Sequence, residues 1–508
     1  MRVDVGPFWR TLGYGIVATA ILTLWACSGS SSPSSSQPEN PIGSNLIQVS
    51  SDPFKIGPGQ HATEVEPHML AVGSTIVAAF QTGRIVDGGG TDIGWATSTD
   101  GGTTWARGSL PGLTTGEGSG PYDAASDPNV AYDARHGVWL ISSLPIGNAA
   151  PAVTVSRSAD GMNWQNPVSV DPAALNSDKN WIVCDSFPAS PYYGNCYLQW
   201  DNPDAGDQIL MSTSTDGGLT WSAPSTTADF AVGIGGQPLV QPNGNVIVPL
   251  LTFGVTSDLM ASFTSTDGGA TWSALHLISS VQLHTDGGGI RSGPLPSAAI
   301  DGAGNVWVVW EDCRFRASCL TNDLVYSTSS DGTAWSAVTR IPIDDTSSTV
   351  DHFIPGIGID PATSAASARV AIHYYFYTQS NCTSTTCQLA VGFISSANGG
   401  TSWNAPVNVC GPMQLTWLPQ SQNGLMVGDY IATVFTNGVP HGIFAVATAK
   451  SGTTFNEAIY TGKGLTVQAT ARQFSSAKDR PLHRLTDKIE HERPEKGIRP
   501  PLRRSRRK

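Results

Sequence analysis

Two arginines, Arg314 and Arg316, stand in the segment Trp310-Glu311-Asp312-Cys313-Arg314-Phe315-Arg316, with another cysteine at 319. A guanidinium fork grips a carboxylate through two parallel hydrogen bonds, so arginines on a short stiff loop suit an anionic ligand. A Cys313–Cys319 bridge would lower the entropy cost of holding them out. Salt bridges between structural units are the plain alternative. Other segments are as rich: Gln81-Thr-Gly-Arg84-Ile-Val-Asp87; His284, Asp286 and Arg291; Asp344, Asp345, Asp351 and His352; Trp417; and Gly428-Asp429-Tyr430. Asp344, Asp345 and Asp351 offer oxygens to a structural Ca²⁺, without EF-hand spacing. No other metal and no cofactor is expected.

The elements that must position these residues announce themselves by repetition. The phrase Ser-x-Asp-x-Gly-x-x-Trp occurs with Asp100/Trp105, Asp216/Trp221 and Asp267/Trp272. One residue shorter, it occurs with Asp160/Trp164 and Asp331/Trp335, and with Asn in place of Asp at Asn398/Trp403. Successive tryptophans lie 51 to 68 residues apart, a period that marks a repeat architecture. Ser and Asp side chains accept backbone N–H groups at a turn, Gly takes positive φ, and Trp folds back on the hairpin. Each phrase therefore reads as a fold-holding hairpin tip between two strands. Alternating runs such as Asp258-Leu-Met-Ala-Ser-Phe precede the tips. The pattern predicts an all-β fold: a β-propeller of seven blades, or six if one unit is decoration, each of four antiparallel strands. The segment Asn45-Leu-Ile-Gln-Val-Ser would close the ring. The tips fall between the third and fourth strands, so the rich segments belong to the opposite face.

Residues 1–27 read as an export signal: Arg2 and Arg10 precede an apolar run that ends Leu24-Trp-Ala-Cys27. That ending makes Cys27 the expected lipid attachment point; a plain cleaved signal or a short anchor is the alternative. Residues 28–44 read as a Ser/Pro-rich tether, 45–470 as the propeller and 471–508 as a basic, disordered tail. Residues 477–508 carry 12 Lys/Arg and 5 Asp/Glu, which leaves 16 (28 less 12) and 35 (40 less 5) for the rest. So acidic a body argues against nucleic-acid binding. In an oxidising compartment, Cys184/Cys196, Cys313/Cys319 and Cys382/Cys387 are expected to pair, with Cys410 left buried and free. The expected protein is a monomer of the cell envelope or exterior, held to a membrane only through Cys27.

The boxes, their spacing and segments such as Glu64-Val-Glu-Pro-His68, Asp351-His-Phe-Ile-Pro355 and Met426-Val-Gly-Asp-Tyr430 resemble the sialidase superfamily, in particular exported bacterial BNR-repeat proteins. The resemblance covers about residues 45 to 465 and implies a glycan as ligand or substrate. Sialidases hold the substrate carboxylate with three arginines, attack with a tyrosine helped by a glutamate, and use an aspartate as acid. Carried onto this chain, the resemblance implies Arg84, Arg291 and Arg314, with Arg316, as the substrate clamp. It makes Asp87 the acid, Glu311 the helper and Tyr430 the nucleophile. The Phe/Tyr-Arg-Ile-Pro motif of the first sialidase arginine is missing near the start; Arg340-Ile-Pro342 follows the fifth box instead. The alternative is a non-catalytic binding or scaffold propeller.

Overall fold

Strands of four to ten residues with few breaks in burial make up most of the regular structure, the signature of sheets covered on both faces. The structure is a computed structural model that describes residues 41–147, 150–171 and 176–468. Cys27, the export signal, most of the tether and the basic tail lie outside the described residues. The architecture is an all-β propeller arrangement. In chain order, an eight-stranded sheet comes first, then a three-stranded sheet (Asp178–Cys184, Cys196–Asn202, Gln208–Ser214). Four four-stranded sheets follow, opening at Leu239–Val240, Ser297–Ile300, His352–Ile359 and Ala432–Thr436. A two-stranded ribbon, Gln420–Ser421 with Gly424–Leu425, lies in the last connector. Uniform four-stranded blades are not what forms. In the three-stranded sheet the outer position holds only the isolated bridges Met211↔Ser225 and Gln208↔Val232, because Pro224 interrupts the run.

Leu46–Gln48 pairs antiparallel with Glu457–Gly462, so the first described strand completes the last sheet and covers its edge. Thr448–Phe455, which resembles a degenerate box, connects the second and third strands of that sheet and is not a tip of the repeated kind. The second and third strands of the sheets carry much of the core: Ile76, Phe80, Trp200, Phe263, Trp310, Tyr375 and Tyr377 are all but fully buried. The expected disulfides Cys184–Cys196, Cys313–Cys319 and Cys382–Cys387 are formed, and Cys410 is free and buried, its thiol pushed up to about 12 by burial. No helix among the described residues is long and apolar enough to cross a membrane.

All six boxes are turns of one design. In the first, Ser98 Oγ donates to Asp100 Oδ1 (2.8 Å) and accepts the Gly102 N–H (2.8 Å). Asp100 Oδ1 accepts the N–H groups of Thr103 (3.0 Å) and Thr104 (2.9 Å), while the Thr104 hydroxyl donates to Oδ2 (2.6 Å). Asp160 takes the Asn163 N–H (2.8 Å) and Asp267 the Thr271 N–H (2.9 Å) in the same way. These bonds, the Thr104 hydroxyl foremost, hold Asp100 at about 2, and the backbone N–H of Ala334 leads the same effect on Asp331, also about 2. Gly101 and Gly102 have φ of 70° and 85°, which the tight turn requires. In the sixth box Asn398 Oδ1 takes the Ser402 N–H (2.9 Å), and its amide donates to the Ser402 hydroxyl (2.8 Å) where Asp would accept. Asp216→Asn is therefore expected to melt close to wild type, and Asp216→Ala to lose about 1 kcal/mol, as capping residues do. Thermal midpoints of the two variants check this; equal losses would deny the oxygen its role.

The box tryptophans do more than fold back on their own hairpins. Only Trp105 and Trp335 bond their own turn, donating to Gly102 O (3.1 Å) and Gly332 O (3.2 Å). Even so, the half-buried Trp105 packs on the cluster that holds Ile443 and Phe444 of the last sheet. Trp164, buried, joins Val77 and Ile93 of the first half of the eight-stranded sheet. Trp221 lies against the cluster that includes Val138 and Leu140, in the sheet before its own. Trp403, 4% exposed, meets Tyr326 of the preceding sheet at 6.2 Å. An indole presents more apolar area than its own hairpin covers, and the neighbouring sheet covers the rest. The indole N–H groups of Trp164, Trp221 and Trp272 accordingly have no hydrogen-bond partner.

Candidate functional site

The inner strands bring together residues that their sequence neighbours do not explain. Four of them carry the same one-residue bulge near their start, seen as register shifts at Val65/His68, Ser126/Asn129, Asp178/Trp181 and Phe353/Gly356. The first bulged residue is left-handed each time: Glu66 (φ 52°), Asp127 (48°), Lys179 (46°) and Ile354 (47°). Pro follows at 67, 128 and 355, and Asn at 180. A non-glycine residue in this region costs about 1–2 kcal/mol, and such strain persists only where the surroundings over-determine it. Here the bulge re-aims three charged side chains at one another.

Lys179 Nζ lies 2.9 Å from Asp127, 4.0 Å from Glu66, 3.5 Å from Asp178 and 2.6 Å from Asp429. Asp429 comes from the last connector and also takes Arg291 in two-point contact, Nε at 2.6 Å from Oδ1 and Nη2 on Oδ2. Gln81 donates to Glu66 and, at 3.1 Å, to Ser126; Arg84 donates to Gln81 Oε1 and Gly89 O, both at 3.0 Å. Burial, then Asp127 and Asp429, push Glu66 well above the ordinary carboxylate range. Burial alone would raise Asp429 and lower Lys179. Arg291 and Lys179 outweigh it for Asp429, and Asp127, Asp178 and Asp429 outweigh it for Lys179. Glu66, Asp127, Asp178 and Asp429 thus stand against Lys179, Arg291 and Arg84. Tyr430 donates to Pro128 O (3.0 Å) and meets Trp181 edge-on at 5.3 Å; burial raises its phenol well above the usual value. Beside these groups a pocket of about 10 Å³ is lined by Lys179, Trp181, Gln237, Leu295 and Tyr430.

Of the sequence-derived set, Arg84, Arg291 and Tyr430 converge on this axial group. Asp87 does not: it is exposed at a loop tip, its carbonyl accepting from Gln422 (2.7 Å). Arg314 is turned onto its own Asp312 (Nε 2.8 Å, Nη2 2.7 Å) and onto Ser279 and Ser280. Arg316, buried, forms ion pairs with Asp323 and Asp344, both at 2.6 Å. Arg340 closes that cluster on Asp323 (2.8 Å) and Asp344 (2.8 Å). Asp344 and Asp351 thus belong to different groups and do not share the cation site considered for them.

Glu311 falls in a third group, with His284, Asp286 and Asp351. His284 Nδ1 is 3.1 Å from Asp351 Oδ1, which also accepts the Asn322 N–H (2.8 Å). Asp286 accepts from Ser292 (2.7 Å) and from the Asn322 amide (3.2 Å), and burial raises it to about 7. Asp127, Asp178 and Lys179 carry no mark in the sequence analysis above, and Glu66 and Asp429 stand there only within longer segments. Their signal was there: Glu66-Pro67 and Asp127-Pro128 stand 61 positions apart, each opening an alternating apolar run.

A BNR repeat-like domain model matches residues 147–356. No curated protein matches the chain. Among solved structures, a polysaccharide lyase of family PL25, an ulvan lyase, is similar at 12% identity over 82% of this chain and 95% of its own, with TM-score 0.48. A protein of unknown function from Dyadobacter fermentans is similar at 17% identity over 70% and 100%, TM-score 0.43. The NanB sialidase of Streptococcus pneumoniae is similar at 14% over 84% and 71%, TM-score 0.40. The repeat-domain match over residues 147–356 and six tips built to one design show that the chain carries BNR, or Asp-box, repeats of the sialidase-like kind.

Proposed function

We propose that this chain is an exported, seven-bladed Asp-box propeller that binds glycan on the face opposite its box tips, and that it is not an exo-sialidase. The observation that carries this reading is the occupancy of Arg291. Its fork, which the resemblance assigns to a substrate carboxylate, is filled by Asp429, and Lys179 grips the same carboxylate. A sugar acid would have to displace a buried internal anion. Tyr430, the nucleophile of that scheme, is buried with its hydroxyl committed to a carbonyl and stands apart from Glu311. The count of seven rests on treating the eight-stranded sheet as two blades, since its halves share only the pair Gly90↔Ala125. Three disulfides and the Leu24-Trp-Ala-Cys27 signal support an oxidising, envelope location with lipid on Cys27.

The binding rim assigned in this reading runs along the sheets that open at Leu239–Val240 and Ser297–Ile300. Phe230 (67% exposed), Leu283 (42%) and Leu320 (59%) lie in neighbouring connectors there, and Phe253 (43%) ends the strand beside them. Thr252 bonds Val232 O (2.6 Å), and Cys313 N–H bonds Gln282 O (2.7 Å), which ties these segments side by side. Exposed rings and aliphatic side chains beside polar groups suit the apolar faces of sugars. The expected result is no turnover of a fluorogenic sialic-acid glycoside by the folded chain. Immobilised polysaccharide should bind, with at least tenfold loss in a Phe230→Ala/Phe253→Ala variant. Sialoside turnover abolished by Arg291→Ala would sink the binding-module reading.

A further inference from the structure

Among the described residues, three clusters of buried charge gather at strand ends and connectors, and they differ in how their carboxylates are balanced. In the axial cluster Lys179 and Arg291 are shared among the acids. Asp323 and Asp344 are met by Arg316 and Arg340. The group on the Ser297–Ile300 sheet has no such partner. Asp286 (6% exposed), Glu311 (1%) and Asp351 (7%) face one another, and among the described residues the ion pairs include no Lys or Arg on any of them. His284 is the one basic side chain paired there, on Asp351. His284, Asp286 and Asp351 each present a ligand atom within 4.8 Å of the others. Glu311 adds an independent observation: it faces Asp286 and Asp351, and its Oε2 is buried with no hydrogen-bond partner. Three buried carboxyl groups crowd one imidazole, and burial makes their charged forms costly unless protons or a bound cation neutralise them.

We propose that His284, Asp286 and Asp351 bind one divalent cation of the Mn²⁺ or Zn²⁺ class, with the unpartnered Glu311 carboxyl beside it. An imidazole among carboxylates suits first-row transition ions, whereas Ca²⁺ prefers an all-oxygen shell. The outer layer of such a site is in place. Asn322 donates to Asp286 and, through its N–H, to Asp351, and Ser292 donates to Asp286, which fixes the carboxylates as second-layer partners do. The His284 side chain, 33% exposed, provides the entry side.

The test uses untagged full chain, stripped with chelator and titrated calorimetrically with MnCl₂, ZnCl₂ or CaCl₂, with Mn²⁺ paramagnetic resonance as a second readout. The expected result is one Mn²⁺ or Zn²⁺ per chain. His284→Ala and Glu311→Gln should each weaken binding at least tenfold, and the metal should raise the melting temperature of wild type but not of His284→Ala. Because His284 is partly exposed, its variant remains informative if Glu311→Gln fails to fold. No saturable binding, binding of Ca²⁺ alone, or Mn²⁺ and Zn²⁺ affinities unchanged in His284→Ala would each overturn the proposal.

Discussion

Lys179→Met is expected to lower stability by about 3–5 kcal/mol at neutral pH, the loss typical of removing one partner from a buried charge pair. The side chain is 6% exposed and is the shared cation of Asp127, Asp178, Asp429 and Glu66. Methionine fills nearly the same volume, so the loss reports stranded carboxylates and little cavity. The pH dependence has a definite sign. Asp429 is held well below the ordinary carboxylate range in the folded protein, so its contribution is present above the unfolded value, about 3.9, and fades as pH falls toward the folded one. Without Lys179 that depression shrinks, and the stranded acids take up protons at higher pH than in wild type. The difference between variant and wild type should therefore narrow from pH 7 to pH 5. Urea midpoints at the two pH values read it directly; a variant as stable as wild type at pH 7 would mean the axial charges hold nothing.

The second large effect is expected from Trp272→Ala, at about 3–5 kcal/mol for an aromatic cut back to alanine in a packed interior. Trp272 is 3% exposed and meets Phe263 of its own sheet edge-on at 5.6 Å and Tyr197 of the preceding sheet at 6.1 Å. It belongs to the same buried cluster as Met211, Val246 and Val248. The box tryptophan thus ties one sheet to the next. Its indole N–H has no hydrogen-bond partner, so the contribution is packing. Trp335 is different: its indole donates to Ser262 (3.0 Å) and Gly332 O (3.2 Å) and stays partly exposed, so Trp335→Phe should lose a bond while Trp272→Phe loses mainly area. Thermal unfolding of the three variants separates the two roles. Trp272→Ala melting like wild type would deny the box its part in joining sheets.

What the chain writes locally came through in full: the box turns, whose bonds span four residues or fewer, the pairing of cysteines five to twelve apart, and strands whose alternation is read within one run. Even the closing strand was legible, because Leu46–Gln48 continues the alternation at the chain's start. Which charges would meet was not. Arg291 and Asp429 are 138 positions apart, Lys179 and Asp127 are 52, and Asp429 and Glu66 are 363. With 40 acidic and 28 basic residues available, partner choice depends on which connectors cross at the axis and on bulges that turn Glu66, Asp127 and Lys179 inward. Arg314 and Arg316 show the same division. Their loop and its disulfide were readable, yet their direction was settled by Asp312 and Asp323, which face each other across the loop end of two paired strands. So do the box tryptophans: the place of Trp164 or Trp403 in its turn is local, but the neighbouring sheet it covers is not. Short-range hydrogen bonds and side-chain periodicity determine the repeat from the sequence itself; desolvated charge pairing depends on burial, and burial exists only once the sheets have closed around it.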